Sequence, residues 1–266
     1  MYIFDAHAHI FPEKIASKAS DNIGAFYDLP MSFDGSISSL LEMCDRDGIS
    51  KCLVHSVATK KEQVQSINSF IYESVKQYPD RFVGFCSLHP DMSCNEADEE
   101  LTKAITLGFR GVKLHPDFQK FNIDDKHAFE LYEVIDNRLP ILFHSGDKRY
   151  GYSSPERLAS AVRHFPKQRI IAAHMGGYTE WKKAALCLAD FDTVYVDTSS
   201  TTAFIPENEF AEYIRIYTPE RVLFGTDYPM WSAKDEIEYI NRIELSERDR
   251  EKIFYKNICE FLGVEI

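Results

Sequence analysis

Two histidines stand two residues apart near the start of the chain, in Ile3-Phe4-Asp5-Ala6-His7-Ala8-His9. The run reads as a β-strand, and side chains at i and i+2 of a strand point to one face with Cα atoms about 6.5–7 Å apart. Two imidazoles so placed can converge on one metal ion at about 2.0–2.1 Å each. Ala8 faces the other way and suits packing against a helix. Alone, His-x-His is weak evidence, since a core histidine beside a surface histidine has the same spacing. The placing of the other reactive side chains strengthens it. His55, His89, Lys113, His115, His144, His174 and Asp227 all stand at or near the carboxyl ends of strand-like runs, and only His127 and His164 fall in helical ones.

Those runs cover residues 3–9, 51–57, 82–89, 109–115, 139–144, 169–174, 193–197 and 221–227. Helical stretches follow them at 36–46, 61–77, 95–107, 124–136, 155–165, 178–189 and 207–217, with further helical segments between 234 and 262. Residues 11–35 carry Pro12, Gly24, Pro30 and Gly35 among aromatics and read as an inserted short helix and loop. Ser154 before Pro155, and Ser246 before Glu247, are helix-start signals. The strand cores are short and apolar, as suits strands buried on both faces. No Asn-Gly hairpin turn separates two strands. The α/β rhythm of eight strand–helix units predicts a (β/α)8 TIM barrel, as a single domain over residues 1–266. A doubly wound open sheet is the competing topology, and no Gly-x-Gly-x-x-Gly follows any strand to support it.

In a barrel the carboxyl ends of the strands form one rim, where sites are built. Every predicted strand except the seventh brings a reactive residue to it. Gly111, Lys113 and His115 share a face, as do Ala172, His174 and Gly176, and Leu223, Gly225 and Asp227. A lysine on the inner face is costly to bury unpaired. Pairing with Asp5, contact with an anionic group, or chemical conversion are the fates open to it. Lys148-Arg149-Tyr150, just after the fifth strand, is either a carboxylate-binding loop through Arg149 or a solvated charged loop. Trp231 either walls a pocket or packs under the last helix. His55 and His89 are equally open to supporting and structural roles.

Composition narrows the class. The net charge of −12 argues against nucleic-acid and anionic-membrane surfaces. No apolar run approaches the ~18 residues of a membrane span. The first strand starts almost at the first residue without a cationic and apolar segment before it, so no secretory signal is expected. The six cysteines contain no Cys-x-x-Cys pair and read as reduced thiols of a cytoplasmic protein. The partner expected is a small-molecule substrate, and a homodimer is open to a chain of this size.

The motifs then fall into a familiar order. Asp5-Ala-His7-Ala-His9-Ile-Phe-Pro, Gly111-Val-Lys113-Leu-His115-Pro, His144-Ser-Gly, Ala173-His174-Met-Gly-Gly177 and Phe224-Gly-Thr-Asp227-Tyr-Pro229 resemble the successive motifs of the amidohydrolase superfamily. The branch most similar is the amidohydrolase-related group that includes aminocarboxymuconate-semialdehyde decarboxylase and related decarboxylases and lactonases. The resemblance runs over the whole chain and implies a (β/α)8 barrel of the metal-dependent hydrolase type. It implies that His7, His9, His144 and Asp227 bind a metal and that His174 holds water or the substrate oxygen. Lys113 falls where some members carry a carboxylated lysine or a glutamate bridging two metals.

Three imidazoles and a carboxylate suit Zn²⁺, with Mn²⁺ or Fe²⁺ as alternatives, at one or two ions per chain. No organic cofactor is expected. Asp227 can ligate and also take a proton from water, and His174 can stabilise a developing oxyanion. His115 and Arg149 are the candidate substrate contacts. The reaction expected is attack of metal-activated water on an amide, ester or lactone carbonyl of a small, carboxylated substrate. The alternatives are metal-dependent non-oxidative decarboxylation and, in another class, a non-catalytic metal-binding barrel.

Overall fold

In the computed structural model, which describes residues 1–265, the apolar runs become strands and the amphipathic stretches helices. In chain order these are β1 (Phe4–His9), α1 (Ala16–Tyr27), α2 (Ile37–Asp47), β2 (Lys51–His55), α3 (Val64–Gln77), β3 (Phe82–Ser87), α4 (Cys94–Thr106) and β4 (Gly111–Leu114). They continue with α5 (Pro116–Gln119), α6 (Lys126–Ile135), β5 (Ile141–Phe143), α7 (Pro155–His164), β6 (Ile170–Ala172), α8 (Trp181–Leu188), β7 (Val194–Asp197) and α9 (Glu207–Tyr217). The last are β8 (Val222–Leu223), α10 (Ala233–Arg242), α11 (Glu247–Glu251) and α12 (Asn257–Leu262).

The strands lie in one eight-stranded sheet in the order β1-β2-β3-β4-β5-β6-β7-β8. The pairings from β3 through β7, and that of β1 with β2, are parallel. The segment after β8 returns to β1. Ala6 N–H donates to the Phe224 carbonyl (2.8 Å), and His9 N–H to that of Tyr228 (2.8 Å). This is the (β/α)8 barrel that the sequence predicts. Among the described residues no helix is long and apolar enough to cross a membrane.

The chain divides into two compact units. One comprises Met1–His55, Tyr78–Val83 and the residues from Thr198 onward; the other comprises Ser56–Gln77 and Gly84–Asp197. Phe4, Leu40, Val54, Phe224 and Phe254 are buried in the first. Phe85, Leu101, Leu114, Phe143 and Ile171 are buried in the second. Burying a side chain of this size contributes about 1.5–3 kcal/mol.

Local signals place the ends. Ser36, Ser93, Ser154 and Ser246 each accept a backbone N–H at a helix start, a contact worth ~1 kcal/mol. At Gly111 of β4 a Cβ would lie 2.2 Å from Phe85 Cζ, so the missing side chain is what admits the ring from the neighbouring strand. The strands are shorter than the sequence suggests. Residues 139–144 yield only Ile141–Phe143, 169–174 only Ile170–Ala172, and 221–227 only Val222–Leu223. Pro116 does not simply end its strand but opens the unforeseen α5, capped by His115 Nδ1, which accepts the Phe118 N–H at 3.3 Å.

Candidate metal centre

In the first unit, β1 is irregular at its most reactive point. Asp5 pairs with Cys52 and Ala8 with Val54, so β1 carries an extra residue against β2. A bulge re-aims side chains, and it falls at Ala6-His7. The result is convergence. His7 Nε2 and His9 Nε2 are 3.3 Å apart. Asp227 Oδ1 lies 3.4 Å from the first and 3.5 Å from the second.

A tetrahedral ion with bonds of about 2.0–2.1 Å spaces its donors roughly 3.3–3.4 Å apart. The three atoms therefore have the separation that ligands of one small divalent ion require. All three side chains are almost wholly withdrawn from solvent. The residues fit a bound divalent ion.

Supporting contacts surround the triangle. The buried Asp5 carboxylate accepts from His7 N–H (3.0 Å), Thr226 N–H (3.0 Å) and Thr226 Oγ1 (2.5 Å). It thereby ties the bulge to the turn that carries Asp227. Asp227 has φ of 58°, and its N–H donates to the His7 carbonyl at 2.9 Å. Ser199 Oγ lies 3.2 Å from His7 Nδ1, so Nε2 is the nitrogen turned to the triangle. Ser200 Oγ donates to Asp227 Oδ2 at 2.5 Å, and Trp231 Nε1 donates to Ser200 Oγ at 2.8 Å. Thr198 Oγ1 holds both backbone groups of Gly225. The His55 ring stands near-perpendicular to those of His7 and His9, with centroids 4.9 and 4.4 Å away.

In the second unit a further group of reactive side chains gathers. His144 Nδ1 and His174 Nε2 face each other at 3.0 Å. The His174 N–H donates to Asp197 Oδ1 (3.0 Å), and the Met175 N–H to the Asp197 carbonyl (2.7 Å). His144 Nε2 lies 3.6 Å from Asp117 Oδ2. Ser153 Oγ donates to that same oxygen at 2.7 Å, while Asp117 Oδ1 has no hydrogen-bond partner among the described residues. Burial pushes the Asp117 carboxyl up to about 7, against the Ser153 bond, which lowers it.

His115 is stacked between Phe118 and His144, at 3.8 and 4.0 Å with planes within 7°. Lone pairs of parallel imidazoles do not converge, so His115 and His144 are not a chelating pair. Lys113 is fully buried in β4. The Arg149 guanidinium closes on Asp147, with Nε–Oδ1 at 2.9 Å and Nη2–Oδ2 at 2.6 Å. His89 Nδ1 accepts the Asp91 N–H at 3.1 Å, which makes it a turn cap, and burial lowers its pKa.

The structure thus brings together His7, His9 and Asp227 in one unit and His115, His144 and His174 in the other. Two readings change. The seventh strand does contribute: Asp197 and the hydroxyls of Thr198, Ser199 and Ser200 anchor reactive residues. The alternation of faces stops short of His174 and Asp227. His174, Met175 and Gly176 have φ of 61°, 50° and 81°, so turn geometry rather than strand pleat aims the ring. Asp117 was legible only as an acid in the first turn after His115-Pro116. The hydroxyls were legible only as the polar run Thr198-Ser-Ser-Thr201 after a strand.

Comparison with known proteins bears on the family and the fold. A family model described as Amidohydrolase matches residues 4–264. An uncharacterised TIM-barrel protein of Bordetella bronchiseptica superposes with a TM-score of 0.80 at 19% identity, covering 99% of both chains. The 5-carboxyvanillate decarboxylase of Sphingomonas paucimobilis gives 0.77 at 14% identity, again covering 99% of both. A dihydroxybenzoic acid decarboxylase of Polaromonas, solved with manganese and the inhibitor 2-nitroresorcinol, gives 0.77 at 17% identity, covering 98% of this chain and 97% of that one. At such identities the structural likeness speaks for the fold.

Proposed function

This chain belongs to the amidohydrolase family and is a metal-dependent enzyme, and we propose that it hydrolyses an amide, ester or lactone bond in a small, carboxylated molecule. The observation that carries the reading is the donor triangle of His7 Nε2, His9 Nε2 and Asp227 Oδ1, with edges of 3.3, 3.4 and 3.5 Å. In this proposal His144 completes the ligand set, on the strength of the motif order. The ion proposed is Zn²⁺, with Mn²⁺ and Fe²⁺ suited to the same donors; manganese is what the Polaromonas relative holds. The proposal allows one ion or two, with Lys113 as the bridging group in the second case.

A divalent ion supplies Lewis acidity toward a carbonyl and lowers the pKa of water to about 7. The residues of the chain do the rest. Asp227 takes the proton of the attacking water and returns it to the leaving group. His174, fixed through its backbone on Asp197, presents Nε2 to the developing oxyanion. His115 lines the substrate. Arg149 receives the substrate carboxylate, which then shares or displaces the Asp147 pair.

Decarboxylation is the second reading, favoured by the likeness to two decarboxylases. Asp227 would then hand a proton to carbon. A panel of lactones, amides and aromatic carboxylic acids separates the two, followed for acid release and for CO₂. Acid release without CO₂ supports hydrolysis, and CO₂ release overturns it. The proposal also takes both units as one catalytic domain, since the family match runs across them. It includes a cytoplasmic setting, in keeping with six free cysteines, and a homodimer, which light scattering tests.

A further inference from the structure

We infer that Trp231 and Ser200 hold Asp227 as a one-oxygen ligand and thereby keep a coordination position open for water or substrate. The inference rests on the metal-site reading above. Chemistry fixes the direction of each hydrogen bond. An indole N–H only donates, and an ionised carboxylate only accepts. Trp231 Nε1 at 2.8 Å occupies a lone pair of Ser200 Oγ. The hydroxyl proton is left to go to Asp227 Oδ2, 2.5 Å away. Met230 Sδ, 3.6 Å from the same hydroxyl, is too weak an acceptor to compete with a carboxylate.

The two oxygens of Asp227 are thereby made unequal. Oδ2 is capped by the hydroxyl, whereas Oδ1 faces His7 Nε2 and His9 Nε2 at 3.4 and 3.5 Å. A carboxylate with both oxygens uncommitted can close on a cation through both. A capped one is held to a single bond, and the position its second oxygen would fill stays available.

The backbone reinforces the arrangement. Ser200 is in the left-handed region at φ 46°, an uncommon conformation for a residue other than glycine. It persists because neighbouring structure holds it. The Trp231 ring is fixed edge-on to Phe204, centroids 5.7 Å apart at 87°. Trp231 is therefore a positioning residue, acting on Asp227 through Ser200.

The test is the visible spectrum of the Co²⁺-loaded wild type, Ser200→Ala and Trp231→Phe proteins, with Co²⁺ affinity from chelator competition. Four- and five-coordinate Co²⁺ absorbs visible light more strongly than six-coordinate Co²⁺. Ser200→Ala is expected to keep its ion but absorb more weakly, with affinity reduced by about 10-fold or more. Trp231→Phe, which leaves the hydroxyl in place but unbiased, is expected to change in the same direction by less. A Ser200→Ala spectrum identical to wild type overturns the inference while leaving the metal site intact. If Ser200→Ala does not fold, Trp231→Phe decides, and an unchanged spectrum there overturns it. A wild type that takes up no Co²⁺ overturns the metal reading, and this inference with it.

Discussion

Glu236→Gln is expected to make the protein more stable, and increasingly so as pH rises. Glu236 lies on α10, 2% exposed, and its Oε2 has no hydrogen-bond partner among the described residues. Burial, foremost, pushes its carboxyl up to about 8; Thr202 opposes the rise and the charges of Asp5, Asp235 and Asp227 add to it. In the unfolded chain the group titrates near its ordinary 4.5. Between those values the folded state keeps a proton that the unfolded state has lost. Stability therefore falls as pH rises through that window, and the whole contribution is gone above about pH 8. The gap is worth at most roughly 5 kcal/mol, at about 1.4 kcal/mol for each pH unit crossed. Glutamine keeps the shape and cannot ionise, so the variant lacks this slope. Urea unfolding of both proteins at pH 5 and pH 7, with chelator present, isolates the effect. The advantage of Glu236→Gln should grow by about 2.5 kcal/mol between the two. A difference that is the same at both values refutes the reasoning.

Three further outcomes are expected. Asp227→Asn should lower turnover on an identified substrate by a factor of about 10² or more; a variant that keeps both its ion and its rate places the base elsewhere. Gly146→Ala should cost roughly 2–3 kcal/mol in thermal or urea unfolding, because φ there is +85° and the added Cβ would lie 2.4 Å from the Tyr178 nitrogen. Lys113→Ala should leave the metal content unchanged and raise KM, whereas a fall from two ions to one, read by elemental analysis, would identify Lys113 as a carboxylated bridge.

The barrel and the histidine pair could be read from the sequence because their signals are local. Phe82-Val-Gly-Phe-Cys-Ser and the other short apolar runs declare strands by themselves, and His7 and His9 share a face by strand alternation alone. The bulge at Ala6-His7 could not be read, because it depends on how Asp5 and Ala8 pair with β2. That bulge accompanies the approach of two nitrogens to 3.3 Å. Asp227 was legible as a candidate, but its aim comes from a left-handed backbone and the hold of Ser200. Ser199, Ser200 and Asp197 went unnoticed because serine hydroxyls carry no spacing signature and their partners lie far away in sequence. Asp117 was hidden for a related reason: a first-turn acid reads as helix chemistry until its burial against His144 is seen.

In the proposed function one divalent ion sits on His7 Nε2, His9 Nε2 and Asp227 Oδ1. Anomalous diffraction from crystals of the metal-loaded protein, collected on both sides of the absorption edge of the metal, tests it most directly. A peak is expected about 2.0–2.1 Å from all three atoms. A fully loaded protein whose peaks all lie away from these three atoms would contradict it.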